Sequence, residues 1–154
     1  MKDNGLLLPD ISVDLVDRAR RSEDAFLRSR TREQLDSMVR RYRCFLALVA
    51  MHPDAIVSPT RDIDEMWHLH MLSPRAYHED CTRIFGEILD HDGGFGALPE
   101  EEAALREAFA LTAALWQRAF GEAYAAGDAE AIRCTRNCVS RCTRACKVRR
   151  AEAA

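Results

Sequence analysis

Pro59-Thr60-Arg61-Asp62-Ile63-Asp64-Glu65-Met66-Trp67-His68-Leu69-His70-Met71-Leu72-Ser73-Pro74-Arg75-Ala76-Tyr77-His78-Glu79-Asp80-Cys81 carries the pattern of two successive helices divided at Ser73-Pro74. Ile63, Met66, Trp67, His70 and Met71 recur at the i, i+3, i+4 spacing of one helix face. Thr60 or Asp62 can start that helix, and Pro74 stops it. Ser73 then stands at the cap, and Pro74 at the first position, of a second helix bearing Tyr77, Cys81, Ile84/Phe85 and Ile88/Leu89. The same stretch holds three of the five histidines, with a tryptophan, a tyrosine and a cysteine. It is the part of the chain densest in reactive side chains, yet it matches none of the known metal or catalytic spacings.

Upstream, Thr31-Arg32-Glu33-Gln34 reads as a capping box. The helix behind it carries Leu35, Met38, Val39, Tyr42, Phe45/Leu46 and Val49 on one face and should end at Met51-His52-Pro53, because a residue before proline is pushed out of the α region. Before it, Asp10 or Ser12 can cap a weakly amphipathic first helix with Val13, Val16, Ala19 and then Ala25-Phe26-Leu27. Downstream, Asp90 to Gly96 is a glycine-rich breaker. It resembles a calcium-loop register in Asp90, Asp92 and Glu101, but Phe95 stands where the sharp-turn glycine belongs, so a helix stop is the simpler reading. Pro99-Glu100-Glu101-Glu102 places acids at the positive end of a long helix with Leu105, Phe109, Thr112, Trp116 and Phe120, which Gly127-Asp128 should break. Strand-like alternation is nowhere evident. The predicted fold class is therefore all-α: a single domain of about six helices around one core over residues 1–128, followed by a cysteine-rich basic C-terminal helix over residues 129–154.

At 154 residues, 47% apolar and 31% charged, the chain has an ordinary globular composition and is long enough to bury a core without disulfides. The N-terminus has an apolar run of only Leu6-Leu7-Leu8 and predicts no secretory signal, and no run approaches the ~18 apolar residues of a membrane span. A cytoplasmic location with reduced thiols is the corresponding expectation. The net charge of −3 is unevenly spread: from Ala131 onward seven basic residues face one acid, net +6, which leaves −9 on residues 1–130. Such a tail can fold onto the acidic body or contact an anionic partner.

Histidines at i and i+2 stand about 200° apart on a regular helix, so His68 and His70 do not face one ion together. Helical spacing groups Asp64 with His68, and Tyr77 or His78 with Cys81. A tight hairpin at Leu72-Ser73-Pro74 would let these pairs converge. The candidate divalent-metal site, for zinc or a similar ion, is accordingly His68, His70, Asp64 and Cys81, with Asp62, Tyr77 and Asp80 as further ligands or as acceptors that orient the imidazoles. An open coordination position there would acidify water and permit hydrolysis. The competing expectation makes Trp67, His70, Met71, Tyr77 and Cys81 core residues, with His68 paired structurally to Asp64.

A second constellation lies in the tail: Cys134, Cys138, Cys142 and Cys146 repeat every four residues. On a straight helix the outer two would be ~18 Å apart, which excludes one tetrahedral site built from all four. Adjacent pairs could hold a soft ion such as Cu(I), or sense redox state, with help from another surface. The alternative is that these small apolar side chains pack the tail onto the body or a protein partner. With no aromatic residue among the arginines and an acidic body, the pattern argues against nucleic acid.

The pattern Asp62-x-Asp64-x-x-Trp67-His68-x-His70-x-Leu72-x-Pro74-x-x-Tyr77-x-x-Asp80-Cys81, followed by Phe85-Gly86-x-x-Leu89-Asp90, resembles the glycine-rich domain-containing protein-like family, known best from plants. The likeness is dense over about thirty residues, and the helix with Tyr42 and Phe45 fits the family's N-terminal region more loosely. It marks Asp62, Asp64, Trp67, His68, His70, Pro74, Tyr77, Asp80 and Cys81, and leaves His78 out. It implies links to development and stress responses rather than a particular reaction. The long glycine-rich tail that names the family is replaced here by the short cysteine-bearing one. Three functions thus stand as expectations: a metal-binding domain with hydrolytic chemistry, a non-catalytic interaction module, and a thiol-based metal or redox site.

Overall fold

Thr31 and Gln34 cap each other as their spacing predicts. The Thr31 amide donates to Gln34 Oε1 at 2.9 Å, and the Gln34 amide donates to Thr31 Oγ1 at 3.3 Å. The helix they open is the longest in the computed structural model, which describes residues 6–92, 95 and 98–125, and Lys147–Arg149 by backbone alone. The described elements run α1 (Leu15–Arg20), α2 (Ala25–Arg28), α3 (Arg32–Met51), α4 (Arg61–Met71), α5 (Pro74–Phe85), β1 (Asp90–Asp92), a 3-10 turn (Pro99–Glu101), α6 (Glu102–Phe120) and β2 (Lys147–Arg149). The fold is all-α, with six α-helices among the described residues. The only described strands are the three-residue pair β1 and β2, antiparallel with His91 opposite Val148.

Contacts group the chain into two compact units. One comprises Leu8–Ala50 and Asp62–Ile88, and contains the histidine-rich stretch. Its core is laid down by α3, which buries Leu35, Met38, Tyr42, Phe45, Leu46 and Val49, the predicted stripe apart from half-buried Val39. From α4 come Ile63, Met66, Trp67 and His70, and from α5 Tyr77, Asp80 and Cys81. Phe45 and Trp67 meet with ring centroids 5.5 Å apart. Fully burying an apolar side chain of this size is worth roughly 1.5–3 kcal/mol, so the α3–α4 face supplies much of the unit's stability.

Three local expectations are corrected in this unit. The first helix is two short ones, capped by Asp14, which accepts from the Asp17 amide, and by Asp24, which accepts from the Phe26 and Leu27 amides. Ser12 is drawn away to Asp80 instead. At α5 Ser73 stands at the N-cap with Pro74 inside the first turn, but its backbone (φ −114°, ψ 71°) aims no cap bond from the hydroxyl. That helix also stops at Phe85, because Gly86 takes the left-handed conformation (φ +80°) that a side chain rarely adopts. Ile88, expected on its buried face, is exposed.

The other unit holds Met51–Arg61 and the described parts of Met1–Leu7 and Leu89–Ala154. Helix α6 buries Leu105, Thr112, Trp116 and Phe120 of the predicted stripe but leaves Phe109 half-buried; it also buries Ala108 and Leu115, and Phe95 packs with Leu105 and Ala108. The Met51–Arg61 segment has no helix of its own, so its buried polar groups bond elsewhere. The Ser58 amide donates to Thr112 Oγ1 (2.9 Å), the Thr60 amide donates to Tyr124 Oη (3.2 Å), and Tyr124 donates to the Ser58 carbonyl (2.7 Å). Trp116 lies between Phe120 and Tyr124, with centroids 4.7 and 4.9 Å away. Gly121 (φ +69°) ends α6 six residues before the expected break at Gly127. Cys134, Cys138, Cys142 and Cys146 lie outside the described residues. The backbone of Lys147–Arg149 is extended, so a helix expected to reach Arg150 does not include those three.

Candidate functional site

Helix α4 carries Asp62 and Asp64 in its first turn, where the helix dipole favours negative charge, and His68 and His70 in its last. The helix is regular through Met71, so the two histidines leave it on different sides, as two-residue spacing requires. His70 turns inward and is 1% exposed, while the His68 side chain retains 19% of its surface.

His70 is fixed from both ring nitrogens. Its Nδ1 lies 3.0 Å from Tyr42 Oη, and its Nε2 lies 3.1 Å from Asp80 Oδ2. Burial holds the imidazole below its ordinary pKa, against the opposing pull of the Asp80 charge and hydrogen bond. In the resulting neutral ring, Nε2–H donates to Asp80 and Nδ1 accepts from the Tyr42 hydroxyl. Asp80 itself is 2% exposed. Burial pushes its pKa upward, but hydrogen bonds from the Ser12 amide (2.8 Å), Arg83 (2.6 Å to Oδ1) and the Ser12 hydroxyl (3.0 Å), with His70 beside it, bring the net shift downward. The carboxylate is therefore charged and saturated with donors. The Tyr42 hydroxyl is raised well above its usual pKa, by burial first and then by Tyr77, Cys81 and Asp80, and stays protonated. Tyr77 completes the layer: its ring meets His70 edge-on at 5.0 Å, and its hydroxyl accepts from Trp67 Nε1 at 2.9 Å.

The remaining expected residues are placed differently. Asp62 is bound to Arg41 Nε of α3 at 2.5 Å. Cys81 is buried and in no disulfide, and His78 is exposed. Asp64 and His68 do come together one helical turn apart, with Nδ1 and Oδ2 separated by 3.6 Å. The proposed set thus divides: Asp64 pairs with His68, whereas His70, Asp80 and Tyr77 belong to a buried network that leaves His70 no ring nitrogen for an ion. Tyr42, Ser12 and Arg83 were not anticipated in that network. Tyr42 is a polar tip within an apolar stripe, and Arg83 stands three residues after Asp80, so both carried a local signal. Ser12, 68 residues from its partner, carried none.

These features define a small helical domain in which His70 and Asp80 belong to a buried hydrogen-bonded network and Asp64 and His68 form a second carboxylate–imidazole pair, the carboxylate buried and the imidazole half-buried. Residues 6–80, which hold the whole network apart from Arg83, match the family described as glycine-rich domain-containing protein-like. The chain belongs to that family. It is 33% identical over 94 residues to glycine-rich domain-containing protein 1 of Arabidopsis thaliana, covering 58% of this chain and 11% of that one. It is 32% identical over 113 residues to glycine-rich domain-containing protein 2 of the same plant, covering 71% of this chain and 13% of the relative. The chain therefore spans only about an eighth or less of the curated relatives it matches. No solved structure matches it. Among the described residues no helix is long and apolar enough to cross a membrane.

Proposed function

We propose that this domain is a divalent-metal-binding module, with Asp64 and His68 supplying two ligands from one face of α4. The observation that supports it is their 3.6 Å separation. That exceeds the 3.2 Å limit of a good N–H···O bond. It is close to the about 3.3 Å edge expected of a tetrahedral site whose ligands sit ~2.0–2.1 Å from zinc. Water or further ligands complete the coordination sphere, and water on such an ion is acidified, which is the route to hydrolytic chemistry. The buried His70–Asp80 network holds α4 and α5 in place and does not bind the ion. The small share of each long relative that the match covers supports a module rather than a complete enzyme.

Metal analysis of protein purified without an affinity tag tests this reading. One zinc or similar ion per chain is expected, lost in both Asp64→Ala and His68→Ala. If the ion persists in both variants but is lost when Cys134, Cys138, Cys142 and Cys146 are replaced by serine, the thiols hold it, as a soft-metal site for an ion such as Cu(I). If no ion binds, the module is one of protein interaction.

A further inference from the structure

The segment before α1 is held by side chains from α3 and α5. Arg43 of α3 donates from Nε to the Pro9 carbonyl (2.7 Å) and from an η nitrogen to the Leu8 carbonyl (3.2 Å) and the Asp10 carboxylate (2.7 Å). Arg83 of α5 donates to the Asp10 carbonyl (2.7 Å) and, at 2.6 Å, to Asp80. Asp80 accepts from both the amide and the hydroxyl of Ser12. Four of these contacts read main-chain atoms of four residues within a five-residue stretch: the carbonyls of Leu8, Pro9 and Asp10 and the amide of Ser12. Two read side chains, a carboxylate and a hydroxyl two residues further on.

Leu6, Leu8, Pro9, Ile11 and Val13 of this arm are half-buried, so partial burial adds to these polar contacts. None of residues 6–14 is fully buried, Leu7 is 96% exposed, and Leu15 is the first core residue along the chain. By contrast the groups that grip it are fixed from behind: Asp80 is 2% exposed and anchored to His70, and Arg43 and Arg83 are mounted on helices of 20 and 12 residues. The clamp thus holds a strap none of whose residues reaches the core. Main-chain recognition of an extended segment is a recurrent mode of peptide binding, because it accepts any sequence that supplies the backbone and leaves selectivity to a few side-chain contacts.

We infer that Arg43, Asp80 and Arg83 form a peptide clamp, occupied by the chain's own Leu8–Ser12, and that an extended acid-bearing segment of a partner protein exchanges with this arm. The segment that fits carries an aspartate or glutamate opposite Arg43, and a hydroxyl residue two positions later opposite Asp80. Proline just before the acid suits it, since it favours the extended backbone and gives up no amide that the clamp uses. Exchange leaves Asp80 with the same donors as before, so the buried network survives a replacement of the strap but not its simple loss.

A fluorescently labelled peptide copying residues 6–14, added to the full-length chain, tests the clamp. In an Asp10→Ala/Ser12→Ala variant the arm loses both side-chain contacts while the clamp stays intact. That variant is expected to bind the peptide at least tenfold more tightly than the unaltered chain. Adding Arg43→Ala should remove the gain, as should changing the peptide's first aspartate to lysine. Equal binding to the unaltered and arm-weakened chains, or binding indifferent to Arg43 or to the peptide's acid, overturns the proposal. Amide hydrogen exchange on the unaltered chain supplies a check independent of variant folding. The Ser12 amide should exchange faster than the buried amides of α3, through an opening confined to the arm. Exchange as slow as that core overturns it. A dimer that forms with rising concentration and disappears in the arm-weakened variant would make the occupant a second copy of this chain, which also overturns the partner assigned here.

Discussion

His68 and His70 stand two residues apart on α4 and each is paired with a carboxylate, yet they are held very differently. His70 and Asp80 are almost wholly buried, 3.1 Å apart, and every polar atom in the pair is engaged by Tyr42, Ser12 or Arg83. His68 and Asp64 lie one helical turn apart at 3.6 Å, with the imidazole partly exposed. In the first pair, burial makes the cost of losing a partner high, so the chemistry is directed inward to hold helices together. In the second pair Asp64 is also buried but the His68 side chain is 19% exposed, and Nδ1 and Oδ2 approach without a short contact. A histidine–carboxylate pair therefore carries no function by composition alone; the depth of burial and the geometry of its contacts distinguish one such pair from the other.

The largest expected effect lies in the buried pair. Asp80→Ala strips partners from His70, Ser12 and Arg83 together and should destabilise the protein by about 3–5 kcal/mol in urea unfolding. A loss below about 1 kcal/mol would erase the distinction drawn between the two pairs. Tyr42→Phe removes only the hydroxyl that serves His70 Nδ1 and leaves that nitrogen unsatisfied, so a loss of about 1–3 kcal/mol is expected in the same measurement.

Acidification sharpens the comparison through His70. Its folded pKa is depressed, so between the unfolded value near 6.5 and the lower folded value the unfolded chain binds more protons. The stability it contributes is complete above that range and falls as the pH drops through it, by at most about 1.4 kcal/mol per pH unit. Asp80, also depressed, adds a second loss only below its unfolded value near 3.9. Unfolding free energies at pH 7.5 and 5.5 (~2 units apart) should therefore differ, and His70→Gln should reduce that difference. A pH dependence unchanged by this substitution would show that His70 does not carry it. The smallest effect belongs to the outer pair. His68→Gln replaces the imidazole beside Asp64 with a neutral hydrogen-bonding group, and should cost about 1 kcal/mol or less while reducing the metal uptake proposed above.

Much of the helical framework was legible because it is governed by local rules. The Thr31–Gln34 box, the proline at Pro53 and Ser73-Pro74, and the apolar stripes of α3, α4 and α6 all act within a few residues. The errors came where a local signal had a competitor. Ser12 resembles a helix cap but donates to Asp80, and α5 and α6 ended at Gly86 and Gly121, whose left-handed backbones outweighed the apolar residues that follow. In the candidate site, helical spacing alone separated His68 from His70 and joined Asp64 to His68.

What the sequence determined by itself is thus the class of fold, the family motif, and which side chains share a helix face, since these depend on periodicity and near-neighbour chemistry. Only the tertiary structure decided that Asp80 serves His70, that Tyr42 closes the network from the other ring nitrogen, and that Ser12 reaches Asp80 across 68 residues. The reason is physical. A buried charge must collect donors from wherever the packed chain brings them, and no local pattern encodes that meeting.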